Sequence, residues 1–307
     1  MRSILPSVLL VAAALAGAEP PATAPPPAAR DTLSRLVAAL EMIHQYYIEP
    51  AKISDPQHTT AALRAFVASL DPDARLLAPG EIPLTNTPPT EPTTPLKFLG
   101  DGIAYLRLPQ FSVEGVERFR HQLRRAETDR ARALILDLRN NPGGDFGATL
   151  AAAQMFLPAR QEIVTLAYPN GPGATFSSDT GAKFRAALVL LVNSGTSGEA
   201  EIFAAALRDH KRARLVGAPT AGRGRFMSRF QLPDGFSLLL PVAYFTPPSK
   251  KLFHGTGVTP DFPVELAPET ERRLAAEGFS ISQWPANKQA LLAVDLPLAK
   301  AIELLTR

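Results

Sequence analysis

Apolar residues change their spacing several times along the chain, and each change marks an element. In "DTLSRLVAALEMIHQYYIEP" (31–50), Leu33, Leu36, Val37, Leu40, Ile43 and Tyr47 fall on one face of a helix. A second helix from about Thr59 to Leu70 carries Leu63, Phe66 and Val67. Residues 79–95 then hold six prolines, which remove donors and fix dihedrals, so 79–97 reads as a linker.

Beyond the linker, strands and helices alternate. "GIAYLRL" (102–108), "RALILDL" (132–138), "EIVTLAY" (162–168), "AALVLLVN" (186–193) and "RARLVG" (212–217) read as strands. Two of them, 132–138 and 186–193, are continuous apolar runs of the kind covered on both faces. Helices are expected at 112–129, 145–157 and 198–210. A hairpin over 224–232 and 236–246 is expected to turn at Pro233-Asp234-Gly235. A Pro-Asp turn at 260–261, a short helix near Pro268–Glu277 and a last helix at 295–305, capped by Asp295 with Pro297 behind it, complete the chain. The expectation is an α/β fold: a core with a mixed β-sheet flanked by helices, plus a short N-terminal helical module. By segment, 1–18 is a signal peptide, 19–30 a proline-rich leader, 31–78 the helical module, 79–97 the linker, 98–267 the core and 268–307 a C-terminal helical segment packed on it.

Composition narrows the function. An apolar content of 46% in 307 residues supports a sizeable core, and 32 Lys plus Arg against 29 Asp plus Glu makes no case for nucleic acid. The opening "MRSILPSVLLVAAALAGAE" joins Arg2, an apolar run and small residues at 16 and 18. It reads as an export signal, placing the chain in a periplasm or outside the cell with no stable membrane span after cleavage; an uncleaved signal would leave a tether. There is no cysteine, so thiolate chemistry is excluded. His44, His58, His121, His210 and His254 are scattered, and neither metal nor cofactor is expected.

Three glycine loops end strands: "LRNNPGGD" (138–145), "NSGTSGEAE" (193–201) and "GAPTAGRGR" (217–225). With "LPDGFSLLLPVAYFTPPSKKLFHGTGVTPDF" and "LDPDARLLAPGE" they resemble the carboxy-terminal processing, or tail-specific, serine proteases, over residues 31–81 and 99–305. The resemblance implies a Ser nucleophile three residues before the Glu201-Ile202 pair, a Lys base in the third glycine loop, and a Gln beyond it that orients the base. Those positions hold Gly198, Arg223 and Met227. Glycine has nothing to attack with, and arginine stays protonated. Ser197 is a substitute candidate, with Ser194 and His254 weaker ones. Ser197 reads better as an N-cap hydroxyl than as a nucleophile. His210 lies at the far end of the same helix, out of reach. By the same resemblance, the amides of Gly143, Gly144 and Glu199 would bind a peptide carbonyl, and the stretch 79–97 stands where the family carries a PDZ domain.

These residues point to a pseudo-protease that binds extended peptides, or a tailed polypeptide, along an edge at Phe226, Met227 and Ser228. A divergent serine endopeptidase using Ser197 and an envelope structural or assembly protein stay open as alternatives. A homodimer through the helical module stays open as well.

Overall fold

Residues 134–136 and 188–191 are apolar without a break, and the structure covers them on both sides. The structure, a computed structural model, describes residues 27–49, 56–81, 95–179, 181–276 and 286–306, with Lys52, Ile281 and Trp284. The signal segment and most of the leader and linker lie outside them. Among the described residues, no helix is long and apolar enough to cross a membrane.

The elements run α1 (Pro27–Tyr46), α2 (Pro56–Leu70), β1 (Arg75–Leu77), β2 (Lys97–Phe98), β3 (Ile103–Arg107), α3 (Val113–Thr128), β4 (Ala133–Asp137) and α4 (Phe146–Ala153). Next come β5 (Glu162–Ala167), β6 (Ala174–Ser177), β7 (Ala187–Val192), α5 (Glu199–Asp209), β8 (Arg214–Gly217), β9 (Arg225–Gln231) and β10 (Ser237–Thr246). The chain closes with β11 (Phe262–Pro263), α6 (Pro268–Ala276), α7 (Lys288–Val294) and α8 (Leu296–Thr306).

The expected α/β layering is present, but the strands divide between two sheets. One sheet has the order β11-β8-β7-β4-β3-β2, parallel except for β2. The other is antiparallel: β10 pairs with β1, β5 and β9, and β6 adds to β5. Apolar period alone cannot tell which strand pairs with which, so this split is invisible in sequence.

Alternate residues of the parallel sheet feed two cores. Leu134, Leu136, Leu188, Leu190 and Val192 join Phe119, Phe156 and Phe203 beneath α3–α5. Ala133, Ile135, Val189, Leu191 and Val216 meet Trp284, Leu298 and Ala301 on the opposite face. Burial on both faces is what keeps five of these strands parallel and short.

Several expected boundaries shift. Helix α1 begins at Pro27, inside the segment read as leader; proline suits a first turn, where its missing N–H has no helical partner to lose. Lys97, the last residue read as linker, pairs with Phe98 of the core in β2. Helix α7 and strands β1 and β6 were not expected, being too short for a period to register. The apolar face of α1 is not buried: Leu36, Val37, Leu40 and Ile43 are each about half exposed. Asp295 caps α8 as expected, its Oδ1 accepting from the Leu298 N–H at 3.1 Å.

Candidate functional site

Strands β4, β7 and β8 are neighbours in the parallel sheet, so the three glycine loops leave adjacent carboxyl ends and converge. The Asn141-Pro142-Gly143-Gly144 loop is pinned on both sides. Asn141 Nδ2 donates to the Leu108 carbonyl at 2.8 Å, and the Asn141 carbonyl accepts from the Ser197 N–H at 2.9 Å. Gly144, at φ +141°, approaches Phe111 so closely that a Cβ there would meet the Phe111 carbonyl oxygen at 2.3 Å. That contact is the reason for glycine at this position. Asp145 then caps α4 through the Ala148 N–H at 2.6 Å.

Gly198 is the N-cap of α5, with φ +59° and ψ −123°. This is the sharp strand-to-helix elbow that presents a nucleophile in hydrolases of similar layout, kept here without a side chain. A Cβ built on it would meet only the Pro142 carbonyl oxygen, at 3.5 Å. There is room for a serine; none is present. Ser197 is not the N-cap, and it is 4% exposed.

Glu201 holds the constellation together. Its Oε2 accepts from the Gly198 N–H at 3.0 Å and the Arg223 N–H at 2.7 Å; Oε1 accepts from the Gly222 N–H at 2.7 Å and from the Thr220 hydroxyl. Two main-chain nitrogens sharing one oxygen lie within about 6 Å of each other, so Gly198 and Arg223, the positions that the resemblance pairs as nucleophile and base, are neighbours. Burial raises the Glu201 carboxyl above its ordinary range, opposed by these four hydrogen bonds. Sequence reading used Glu201 only to set the frame; its role as a fastener required the fold. Arg223 itself is exposed.

The amides of Gly143 and Gly144, which the resemblance gives a carbonyl to bind, both donate within the chain. Gly143 N–H donates to Asn141 Oδ1 at 2.9 Å. Gly144 N–H donates to Glu199 Oε2 at 3.0 Å. Of the amides expected to receive a substrate carbonyl, that of Gly144 carries the Glu199 carboxylate and that of Gly143 the Asn141 side-chain oxygen. Burial pushes the Glu199 carboxyl up to about 7, relieved in part by the Gly144 amide and aggravated by the charges of Asp145 and Glu201. Only Glu199's position beside Gly198 hinted at this in sequence.

The remaining candidates are dispersed. Ser194 is exposed. His254 backs onto Gly224, whose added Cβ would meet its main-chain nitrogen at 2.9 Å, and its ring lies 5.4 Å from that of Tyr244. His210 caps the far end of α5, a ring nitrogen 2.7 Å from the Glu162 carbonyl oxygen. Phe226 packs edge-on against Phe146 and Phe245 at 5.4 and 6.0 Å, while Met227 and Ser228 stand opposite Pro241 and Leu240. Among the described residues β9 pairs with β10 alone, leaving one edge open.

A buried ionic group unmentioned by the motifs supports the first glycine loop. Arg139 binds Asp137 through Nε (3.0 Å to Oδ1) and Nη2 (2.6 Å to Oδ2), and reaches Asp295 at 2.8 and 2.9 Å. Tyr105 Oη donates to Asp137 at 2.7 Å. Burial alone would raise the Asp137 carboxyl, but the guanidinium reverses this and holds it below its ordinary value. The group locks α8 to the end of β4, just before Asn141.

The layout is that of a serine peptidase core of the tail-specific kind. A family model described as Peptidase family S41 matches residues 102–264, more than half of the chain, and the protein belongs to that family. A carboxyl-terminal-processing protease of Synechocystis sp. is 39% identical over 166 residues, which are 54% of this chain and 39% of that protein. The photosystem II D1 C-terminal processing protease superposes with a TM-score of 0.51 at 27% identity, over 63% of this chain and 48% of that one. A lipoprotein from Streptococcus agalactiae gives 0.58 at 17% identity, over 83% of this chain and 98% of that one, a likeness of fold alone. This chain spans about two fifths or less of the length of the Synechocystis, Picosynechococcus and Arabidopsis proteins it matches.

Proposed function

We propose that this protein is an exported, non-proteolytic member of its family that binds an extended peptide or the tail of a partner polypeptide. One observation carries the loss of proteolysis: the Glu199 carboxylate rests on the Gly144 N–H, beside a Gly198 that offers no nucleophile. Replacing Ser by Gly removes the attacking atom. Replacing Lys by Arg223 removes any group able to take its proton at neutral pH. Filling the donors removes stabilisation of the developing oxyanion, a contribution commonly worth about 10²–10³ in rate.

Peptide binding is supported by the open edge of β9, where main-chain groups could pair with an added strand beside Phe226, Met227 and Ser228. Burial of Ser197 disfavours its use as a substitute nucleophile. The test titrates the purified protein with a panel of labelled unstructured peptides, followed by fluorescence polarisation, alongside a casein cleavage assay. Saturable binding without cleavage is the expected result. Cleavage abolished by Ser197→Ala would overturn the reading in favour of an endopeptidase; absence of binding to any peptide would favour an envelope assembly role.

A further inference from the structure

We infer that the groove between the end of α5 and the loop after β10 is a binding site for a small carboxylate with an apolar tail. It is separate from the peptide edge, and the inference does not depend on the function proposed above.

The groove encloses about 230 Å³, room for about eight waters or for one group the size of a side chain. Its wall includes Arg208, ten residues along α5 from Gly198, which places it about 15 Å from the elbow at 1.5 Å per residue. Ala205, Phe253 and Val258 form an apolar floor that is almost wholly buried, and Leu252, half exposed, stands at the rim.

The acceptors around this floor are taken. The Phe253 carbonyl accepts from the Thr256 and Gly257 N–H groups at 3.1 and 2.8 Å, and the Thr259 carbonyl from Arg208 Nη1 at 2.6 Å. Asp209, the only acid among the described residues that line the groove, accepts from the Ser249 N–H at 3.0 Å; its side chain is 7% exposed and lies 3.8 Å from Arg208 Nη2. The carbonyls of Ala206, Leu207 and Arg208, which end α5, accept from the N–H groups of His210, Arg212 and Lys211, so the helix end adds no open acceptor.

Donors are in excess. Lys251 is exposed and, among the described residues, is paired with no acid. The guanidinium of Arg208 is held in place by the Thr259 carbonyl, is partly open to water and has further N–H groups to give. The hydroxyl-bearing residues Ser249 and Thr259 are exposed beside them. A ligand that fits must therefore bring oxygen acceptors and a negative charge, and the planar guanidinium fork favours a carboxylate. The apolar floor calls for a tail behind that carboxylate, since a bare ion leaves the floor uncovered.

The experiment titrates hexanoate into the full chain while amide resonances are followed by NMR. Saturable shifts at Gly257 and Val258 are expected, with an affinity about tenfold higher than that of hexanamide, which lacks the charge, or acetate, which lacks the tail. Lys251→Glu, an exposed change that leaves the floor intact, should weaken hexanoate binding about tenfold, whereas Arg118→Glu, the same charge change on α3, should leave it unaltered. No saturable shift, equal affinity for hexanamide, or equal weakening by Arg118→Glu would overturn the inference. So would inorganic phosphate binding as tightly as hexanoate, or shifts centred on Gly144 instead of Gly257.

Discussion

Replacing Glu199 by Gln removes a half-buried charge while keeping an oxygen that can accept from the Gly144 N–H, so it isolates the cost of ionising this site. The carboxyl titrates near 4.5 when unperturbed and at about 7 in the folded chain. As pH rises through 4.5 the unfolded chain releases the proton, whereas the folded chain keeps it until near 7. Across that window the unfolded state binds fewer protons, so stability falls with rising pH; the penalty is absent below 4.5 and complete above 7. At 1.36 kcal/mol per pKa unit it amounts to about 3 kcal/mol. Glu199→Gln escapes it: the variant and parent should match near pH 4, and the variant should be more stable by about 3 kcal/mol at pH 8. Urea unfolding at pH 4.5, 5.5, 6.5 and 8, followed by the fluorescence of the single tryptophan, Trp284, measures the difference directly. Subtracting parent from variant cancels the titration of the other carboxylates. A difference that stays flat between pH 5 and 8 would refute the burial penalty on the Glu199 charge.

Glu201→Ala should be among the most damaging single changes near the site, by about 3–5 kcal/mol in urea unfolding, because three N–H groups and the Thr220 hydroxyl lose their acceptor at once. Arg139→Ala should cost about 3–5 kcal/mol by leaving Asp137 and Asp295 buried without a counter-charge. Adding Asp137→Asn and Asp295→Asn to it should recover part of that loss, a recovery that a purely steric role for Arg139 would not produce.

Much of the layout could be read from order and period. Residues 133–136 and 187–192 are strands because their unbroken apolar runs suit a surface covered on both sides, and α3 and α5 follow from their amphipathic spacing. The gaps in the motifs were equally legible: Gly198, Arg223 and Met227 are facts of the chain, and the chemistry they forbid follows from the side chains alone.

Tertiary structure alone decided how the pieces meet. The division into a parallel and an antiparallel sheet depends on pairing partners far apart in sequence, which a local period does not encode. The fastening of the loops after β7 and β8 by Glu201, and the clamp of α8 by Arg139 over a sequence distance of 156 residues, exist only once those ends are adjacent. Glu199 is the sharpest case. As a residue in a helix's first turn it is unremarked, favourable to the helix's positive end and otherwise ordinary. Folding sets the Gly144 N–H 3.0 Å from its carboxylate, joining the first glycine loop to the start of α5.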